Sequence, residues 1–351
     1  MKVCVVGAGA IGGFMAVRLA LSGHEVSVIA RGPHLAAIRE RGLRLRQSGE
    51  EYVARDIIAT DRIDELEPQD MVLLAVKAHQ IEPIVDDLTK LLAPNGVLVT
   101  LQNGIPWWYF QKLAGEYDGR TVRTVDPNGT LARTIDPGRI IGCIAYPAAT
   151  IAEPGVIQHV EGVRFPVGEL DGSESDRVKR VSEAFTEAGF KAYILPDIRS
   201  EIWLKLWGNL TFNPISALTH ATLEDLCRFP LTRQLATAMM TEAQTIGEKL
   251  GATFRVSLER RIEGAENVGK HKTSMLQDVE VGKALEIDGM LGAVIELGEL
   301  TNTATPALSA VYALVSLLDK TIQDEQIRIK GAPLQSDTKS TQAKQRVGST
   351  R

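Results

Sequence analysis

Three stretches of the chain carry residue types at spacings that suit chemistry. The first is Gly7-Ala8-Gly9-Ala10-Ile11-Gly12, a G-x-G-x-x-G that directly follows the apolar run Val3–Val6. In that context the first glycine permits a tight turn, the second lets the backbone approach a pyrophosphate, and the third allows close helix–strand packing. The helix that starts there offers free N–H donors and the positive end of its dipole. The expected ligand is a dinucleotide. NAD sites place an acid about twenty residues further on, where it accepts from the ribose 2′-OH. Here the sequence reads Val26-Ser27-Val28-Ile29-Ala30-Arg31-Gly32, with no acid after the run. Arg31 stands where a 2′-phosphate would lie, and a charge-assisted hydrogen bond of about 1.5–3 kcal/mol favours NADPH about tenfold to a hundredfold. The alternative for Arg31 is a solvated surface arginine. Glu25 precedes the strand and is on the wrong side to replace the missing acid.

The second stretch runs from Ile198 to Pro214. At 100° per residue, Lys205, Asn209 and Asn213 drift by only about 80° over two turns and share one face of a helix. The rest of that helix is Trp, Leu, Ile and Phe, which belong in an interior. An unpaired buried polar group costs about 1–3 kcal/mol, so the stripe needs partners, which a bound polar substrate or an internal hydrogen-bond network would supply. Pro214 is expected to kink or stop the helix. The third stretch is His271-Lys272-Thr273-Ser274-Met275-Leu276-Gln277-Asp278, followed by Glu286 between Leu285 and Ile287. Ser274 fits an N-cap, and a helix N-terminus also receives carboxylates. Glu286 needs a partner in so apolar a setting. A lysine ammonium beside a ketone stabilises and protonates the alkoxide that hydride transfer from a nicotinamide develops. Two shorter loops, Lys77-Ala78-His79-Gln80 and Gln102-Asn103-Gly104, follow apolar runs whose carboxyl ends face ligands in doubly wound sheets. Lys77 is open to a second reading as a solvated lysine, and Asn103-Gly104 to one as a helix-opening turn.

These residues need a scaffold, and the first half of the chain provides its pattern. Val3–Val6, Glu25–Ile29, Met71–Val76 and Val97–Leu101 are short, almost wholly apolar runs that suit strands covered on both faces. Helical patterns lie between them at about residues 10–22, 78–92 and 104–116. This alternation predicts an α/β fold with an N-terminal Rossmann-type doubly wound sheet. Turn signals at Asp126-Pro127-Asn128-Gly129, Asp136-Pro137-Gly138 and Glu153-Pro154-Gly155 point to antiparallel additions. A helix near 173–188 and a strand over Ala192–Leu195 follow. After Pro196 strand signals almost vanish. Thr222-Leu223-Glu224-Asp225 and Ser274-Met275-Leu276-Gln277 read as capping boxes, and Pro230 and Pro306 open helices. The expected division is a dinucleotide-binding domain over 1–196, an all-α substrate and catalytic domain over 197–330, and a disordered polar tail over 331–351.

Composition narrows the function classes. A formal net charge of −5 over 351 residues argues against a nucleic-acid partner, which needs clustered Lys and Arg. No run approaches the about 20 apolar residues of a membrane span. The N-terminus reads as a strand that runs into glycines, not as a signal peptide. Cys4, Cys143 and Cys227 have neither metal nor disulfide spacing, which fits small buried hydrophobes in a reducing, cytoplasmic setting and predicts no metal site.

Taken together, the segments Gly7–Gly12, Val76-Lys77-Ala78-x-Gln80, Gln102-Asn103-Gly104, Ile198-Arg199-x-Glu201-x-Trp203-x-Lys205-x-x-x-Asn209-x-x-x-Asn213-Pro214 and Ser274-Met275-Leu276-Gln277-Asp278 with Glu286 resemble the ketopantoate (2-dehydropantoate) reductase family over residues 1–325. The resemblance implies a Rossmann domain followed by a helical domain, with an active site in the cleft, and NADPH-dependent reduction of a 2-oxo acid in pantothenate biosynthesis. It implies Lys205 as general acid and Glu286 as its partner at the same oxygen. Asn209 and Asn213 would line the substrate pocket, Ser274 would hold the carboxylate, and Lys77 and Asn103 would sit beside the nicotinamide. The chain departs from the family pattern at His271, where an Asn is usual, in lacking a further Asn near Thr219–Leu223, and in the bulky Trp107-Trp108. These departures face the substrate, so His271 joins the candidate substrate-binding residues, and the class of chemistry is fixed more firmly than ketopantoate itself. Another branched 2-oxo acid, opine-type reductive amination and a non-catalytic NADPH sensor are the alternatives. Lys205 with Glu286 speaks against the sensor, since binding alone needs neither. The apolar helices of the second half leave room for a homodimer.

Overall fold

The computed structural model describes residues 1–331, so all but the first residue of the expected tail lies outside the described residues. In chain order, β1 (Lys2–Val6), α1 (Ala10–Leu21), β2 (Glu25–Ile29) and α2 (Gly32–Arg41) lead into three short strands, β3 (Leu43–Gln47), β4 (Glu50–Ala54) and β5 (Ile57–Thr60). Next come β6 (Gln69–Leu74), α3 (Val85–Leu91), β7 (Leu92–Thr100), α4 (Thr130–Thr134), β8 (Ile140–Cys143), β9 (Ala148–Glu153), β10 (Val156–Glu161), β11 (Val167–Gly168) and α5 (Asp176–Glu187). The remainder of the described residues is mainly helical: α6 (Ile198–Thr219), α7 (Leu223–Arg228), α8 (Pro230–Lys249), α9 (Leu258–Asn267), α10 (Ser274–Val281), α11 (Ala293–Leu300) and α12 (Pro306–Glu325).

The main sheet has seven strands in the order β11-β8-β7-β6-β1-β2-β5. All neighbours are parallel except β11, which runs antiparallel to β8. The central strands β1 and β6 are buried on both faces, which explains why they read as continuous apolar runs instead of alternating ones. A second sheet, β4-β3-β10-β9, packs against α1. One core cluster, with Phe14, Phe165, Phe185 and Phe190, fills the space around α1 and α5. The other runs without a break from Val72 and Leu98 through Trp107 and Trp108 to Trp203 and Trp207 of α6, so sheet and helices share one core.

Several expectations need correction. Residues 104–116 form successive turns, not a helix, with Trp107, Trp108, Tyr109 and Phe110 buried. Pro106 interrupts the pattern, and the loop's carbonyls find a different donor: the Arg199 guanidinium donates to Tyr109 O and Gln111 O at 2.7 Å each, and to Leu170 O. With that partner the backbone needs no helical ladder. The two tryptophans are therefore core side chains, not a cleft wall, and Trp108 Nε1 donates to Thr100 Oγ1 at 3.0 Å. Only α3 and two 3₁₀ turns stand in for the helix expected over 78–92, since Pro83 breaks it. The strand expected over Ala192–Leu195 is reduced to isolated bridges at Lys191 and Ile194. Pro214 sits inside α6 without ending it, because the helix is buried on both sides of the proline and packing outweighs one lost backbone donor. The Thr222–Asp225 capping box forms as expected.

Candidate active site

The glycine loop joins β1 to α1 at the carboxyl end of the sheet. Gly7 has a φ of +100°, and a Cβ at Gly12 would collide with the Gly7 carbonyl oxygen, so the turn and the helix can meet only without side chains there. Gly9 is the N-cap of α1 and gives no side-chain cap, which leaves the first-turn N–H groups of Ala10 and Ile11 free. A Cβ on Gly9 would meet nothing within 4 Å, so the loop opens onto space. That space is a cleft of about 420 Å³ whose lining includes Gly7, Ala8, Gly9, Arg31, His34 and Arg62. A dinucleotide fits this donor set: free N–H groups for a pyrophosphate and guanidinium groups at the far end. Arg31 is exposed at the start of α2.

Two lining residues carried no signal in the sequence. His34 accepts from Gly155 N at its Nδ1 (3.0 Å) and therefore carries its proton on Nε2, which donates to Ala8 O at 2.8 Å. It pins the glycine loop, and burial lowers its pKa so that the neutral ring persists. Arg62 follows β5 and pairs with Asp64 at 2.7 Å. Gln102 donates to Leu74 O and Val76 O at 2.7 and 3.1 Å, while its Oε1 is buried without a partner at the same strand ends.

The second cluster is built from four separate segments. α6 is capped by Asp197, which accepts from Ser200 N at 3.0 Å, and presents Glu201, Lys205, Asn209 and Asn213 at successive turns. Lys205 Nζ donates to Asn103 Oδ1 at 2.7 Å and to Ala145 O. Asn103 Nδ2 in turn donates to Glu286 Oε2 at 3.2 Å, so Lys205 and Glu286 communicate through an amide. Gly104 makes this possible: its φ is +87°, a Cβ there would strike the backbone of Gly289, and Ile105 N donates to Gly289 O at 2.7 Å. Burial drags the Lys205 ammonium down to about 8, and the Glu286 carboxylate opposes the shift.

One turn before Lys205, the carboxylate of Glu201 is buried. It accepts from Tyr146 Oη at 2.5 Å and pairs with Arg255 at 2.6 Å. Glu201 and Lys205 thus hold the adjacent residues Tyr146 and Ala145 from one helix face. The Tyr146 ring centroid lies 6.0 Å from Lys205 Nζ, and the Arg164 guanidinium stacks 3.6 Å from the same centroid. Burial and the Glu201 carboxylate push the Tyr146 hydroxyl well above its ordinary range, so it stays protonated as a donor.

The remaining sequence candidates sit at differing depths. Lys77 donates to Ala284 O at 2.6 Å and pairs with Asp278 at 3.3 Å, tying the loop after β6 to the segment that carries Glu286. Asn209 is half-buried, and Asn213 is buried with its amide 3.9 Å from Met290 Sδ. Ser274 is not the N-cap of α10: Thr273 is, accepting from Leu276 N at 3.3 Å, and Ser274 is the exposed first helical residue. Gln277 donates instead to Lys272 O at 3.0 Å, so the expected capping box is absent. His271 is half-buried just upstream, and among the described residues neither side chain bonds to the Lys205–Asn103–Glu286 chain. Among those residues no helix is long and apolar enough to cross a membrane, and no group of three or more His, Cys, Asp or Glu could hold a metal ion. All three cysteines are buried, and burial pushes the thiols of Cys4 and Cys227 up to about 12 and about 11.

Comparison with known proteins identifies the family. Residues 3–172 match the family described as ketopantoate reductase PanE/ApbA, and residues 197–319 match its C-terminal part. A 2-dehydropantoate 2-reductase of Mesorhizobium japonicum is 50% identical over 319 residues, covering 91% of this chain and 98% of the relative. The crystal structure of 2-dehydropantoate 2-reductase from Methylococcus capsulatus superposes with a TM-score of 0.75 at 29% identity, covering 92% of this chain and 98% of that one. A D-mandelate dehydrogenase crystallised with NADH and anilino(oxo)acetate has a TM-score of 0.78 at 22% identity over 92% of this chain and all of that one, a likeness of fold alone.

Proposed function

Because this chain belongs to the ketopantoate reductase family, we propose that it reduces ketopantoate to pantoate with NADPH and that Lys205 donates the proton. The observation that carries the role of Lys205 is its setting. Two of its three ammonium hydrogens are engaged by Asn103 Oδ1 and Ala145 O, which leaves one to point at a substrate carbonyl. An ammonium brought down to about 8 is a better acid than an ordinary lysine and is still mostly charged at neutral pH.

Bound NADPH supplies the hydride. The backbone of Gly7, Ala8, Gly9, Ala10, Ile11 and Gly12 is read as the pyrophosphate cradle and Arg31 as the 2′-phosphate partner. Lys205 stabilises the oxygen that gains negative charge, gives it a proton, and is left as a neutral amine to be recharged from solvent. Glu286 acts on that oxygen's surroundings through Asn103, whose amide can turn only if both neighbours give up their bonds. Lys77 holds the Glu286 segment against the sheet and so acts at a distance from the cofactor. Asn209, Asn213, Ser274 and His271 are read as substrate contacts on the helical side. The reading divides labour between residues 1–196, which hold the cofactor, and residues 197–330, which supply the proton donor. It places the enzyme in the cytoplasm as a homodimer, to which the exposed stripe Ala310, Ala313, Leu314 and Leu317 of α12 would contribute. An NADPH-consumption assay over a panel of 2-oxo acids tests the proposal. Ketopantoate should give the highest kcat/KM; a clear preference for another 2-oxo acid, or no turnover at all, would refute it.

A further inference from the structure

The glycine loop is not held by its own segment alone. Gly7 N and Ala8 N both donate to Ile29 O, at 3.2 and 3.0 Å, which fixes the start of the loop against β2. The next peptide unit, between Ala8 and Gly9, is held from outside: its carbonyl oxygen accepts from His34 Nε2 at 2.8 Å. His34 stands in the first turn of α2, and its other ring nitrogen accepts from Gly155 N at 3.0 Å. Gly155 belongs to the turn between β9 and β10, in the second sheet. Its φ is +79°, and a Cβ there would stand 2.9 Å from Ala37 Cβ, so the turn reaches α2 only because residue 155 has no side chain. The Gly155 carbonyl accepts from Arg44 N of β3 at 2.9 Å, so the turn arrives already tied to that sheet.

The imidazole passes this direction on to the loop. A neutral ring that accepts at Nδ1 carries its hydrogen on Nε2, and burial keeps the ring neutral. The turn of the second sheet thereby selects the tautomer that can hold Ala8 O. The Ala8–Gly9 peptide is trans and planar, so its carbonyl and its N–H point in opposite directions. Holding the carbonyl at His34 aims the Gly9 N–H away from the ring. That N–H finds no acceptor among the described residues, and Gly9 lines the same cleft as Ala8, Arg31 and His34. Gly9 itself offers little resistance to the reverse arrangement: it has no Cβ, and nothing lies within 4 Å of where one would stand. A turned peptide would put a carbonyl oxygen where the N–H now stands and would repel an anion that the N–H receives.

We propose that His34 is a positioning residue of the cofactor site: it locks the Ala8–Gly9 peptide in the orientation that offers the Gly9 N–H, and not the Ala8 oxygen, to the pyrophosphate of the dinucleotide. The inference rests on the reading of Gly7–Gly12 as the pyrophosphate cradle. It also gives the second sheet a task, since through Gly155 and His34 that sheet sets the direction of a donor in the loop between β1 and α1.

The test measures equilibrium binding by calorimetry for the wild type, His34→Asn and His34→Phe, with NADPH and with adenosine 2′-monophosphate. The monophosphate carries the adenine, the ribose and the 2′-phosphate but no pyrophosphate, so it reports on the rest of the cleft. Asn keeps an acceptor within reach of Gly155 N and is too short for Ala8 O, whereas Phe keeps a ring and loses both bonds. Loss of an aimed donor to a charged group weakens binding by about tenfold to a hundredfold. Each variant should raise the Kd for NADPH by that factor and the Kd for the monophosphate by less than about threefold. Should one variant fail to fold, the other decides alone. An unchanged Kd for NADPH in a folded variant would show that the bond to Ala8 aims nothing and would overturn the proposal. Equal losses for the two ligands would overturn it as well, since His34 would then merely hold the cleft together. A wild type that binds NADPH no more tightly than the monophosphate refutes the cradle reading instead.

Discussion

The two halves of the site are built by opposite means. The proposed cofactor loop is a backbone site: six consecutive residues, three of them glycines without a side chain, whose function is the direction of their N–H groups and the room they leave. The proposed proton-donor site is a side-chain site, assembled from Asn103 after β7, Ala145 after β8, Lys205 on α6 and Glu286 after α10. A backbone site is local and tolerates drift of the rest of the molecule. A side-chain site needs four segments to converge within hydrogen-bond distance, so it depends on glycines such as Gly104 that let distant backbones touch, and on clamps such as Glu201–Tyr146. The comparison predicts that single side chains matter greatly for turnover and little for folding on the helical side, whereas on the cofactor side a single side chain sets choice of ligand.

Removing Lys205 should have the largest effect. Loss of a preorganised donor to a developing oxyanion costs about 10²–10³ in turnover. Lys205→Ala should lose at least that much in kcat, while NADPH affinity and Tm stay close to wild type, since the change removes a desolvated charge. Steady-state kinetics with a thermal melt decides the matter: a variant that is unstable, yet turns over normally while folded, would make Lys205 structural.

Arg31 sharpens the other side of the comparison. Arg31→Ala should raise the KM for NADPH about tenfold to a hundredfold and leave that for NADH nearly unchanged, because only the 2′-phosphate is lost as a partner. Equal effects on the two cofactors, measured side by side, would remove Arg31 from the cofactor site. The smallest expected effect belongs to Tyr146→Phe, which removes one donor to Glu201 while the Arg255 pair remains. It should lower kcat by several-fold at most, with little change in the KM for NADPH, through looser placement of the Ala145 carbonyl that holds Lys205.

The same division explains what the sequence disclosed. The glycine loop, the strands of the main sheet and the shared face of Lys205, Asn209 and Asn213 are local patterns, and local patterns are legible. The hairpin β3–β4 also had a signal, since Leu43-Arg44-Leu45-Arg46 alternates around a Ser48-Gly49 turn, but nothing local says that it pairs with β10 to form a second sheet. The loop 104–116 misleads because a continuous aromatic run such as Trp107-Trp108-Tyr109-Phe110 carries no period that separates buried helix from loop, while the Tyr109 and Gln111 carbonyls are satisfied by Arg199, some ninety residues away in sequence. Thr273 and Ser274 are adjacent hydroxyls that cap equally well on paper, and only the helix start separates them. Asn103 looked like a cofactor contact because of its strand, and its tie to Glu286 is visible only once Gly104 meets Gly289.

Lys205, the proposed acid of the reaction, has its ammonium brought down to about 8 by burial. A donor must be protonated to act, so the active fraction is lost as pH rises through that value. The decisive measurement is kcat for ketopantoate reduction at saturating NADPH from pH 6 to pH 10. If Lys205 is the acid, kcat should hold a plateau below the midpoint and fall about tenfold per pH unit above about 8, with the fall absent from the residual activity of Lys205→Ala. A wild-type profile that stays level to pH 10, or a fall that persists when Lys205 is gone, would contradict it.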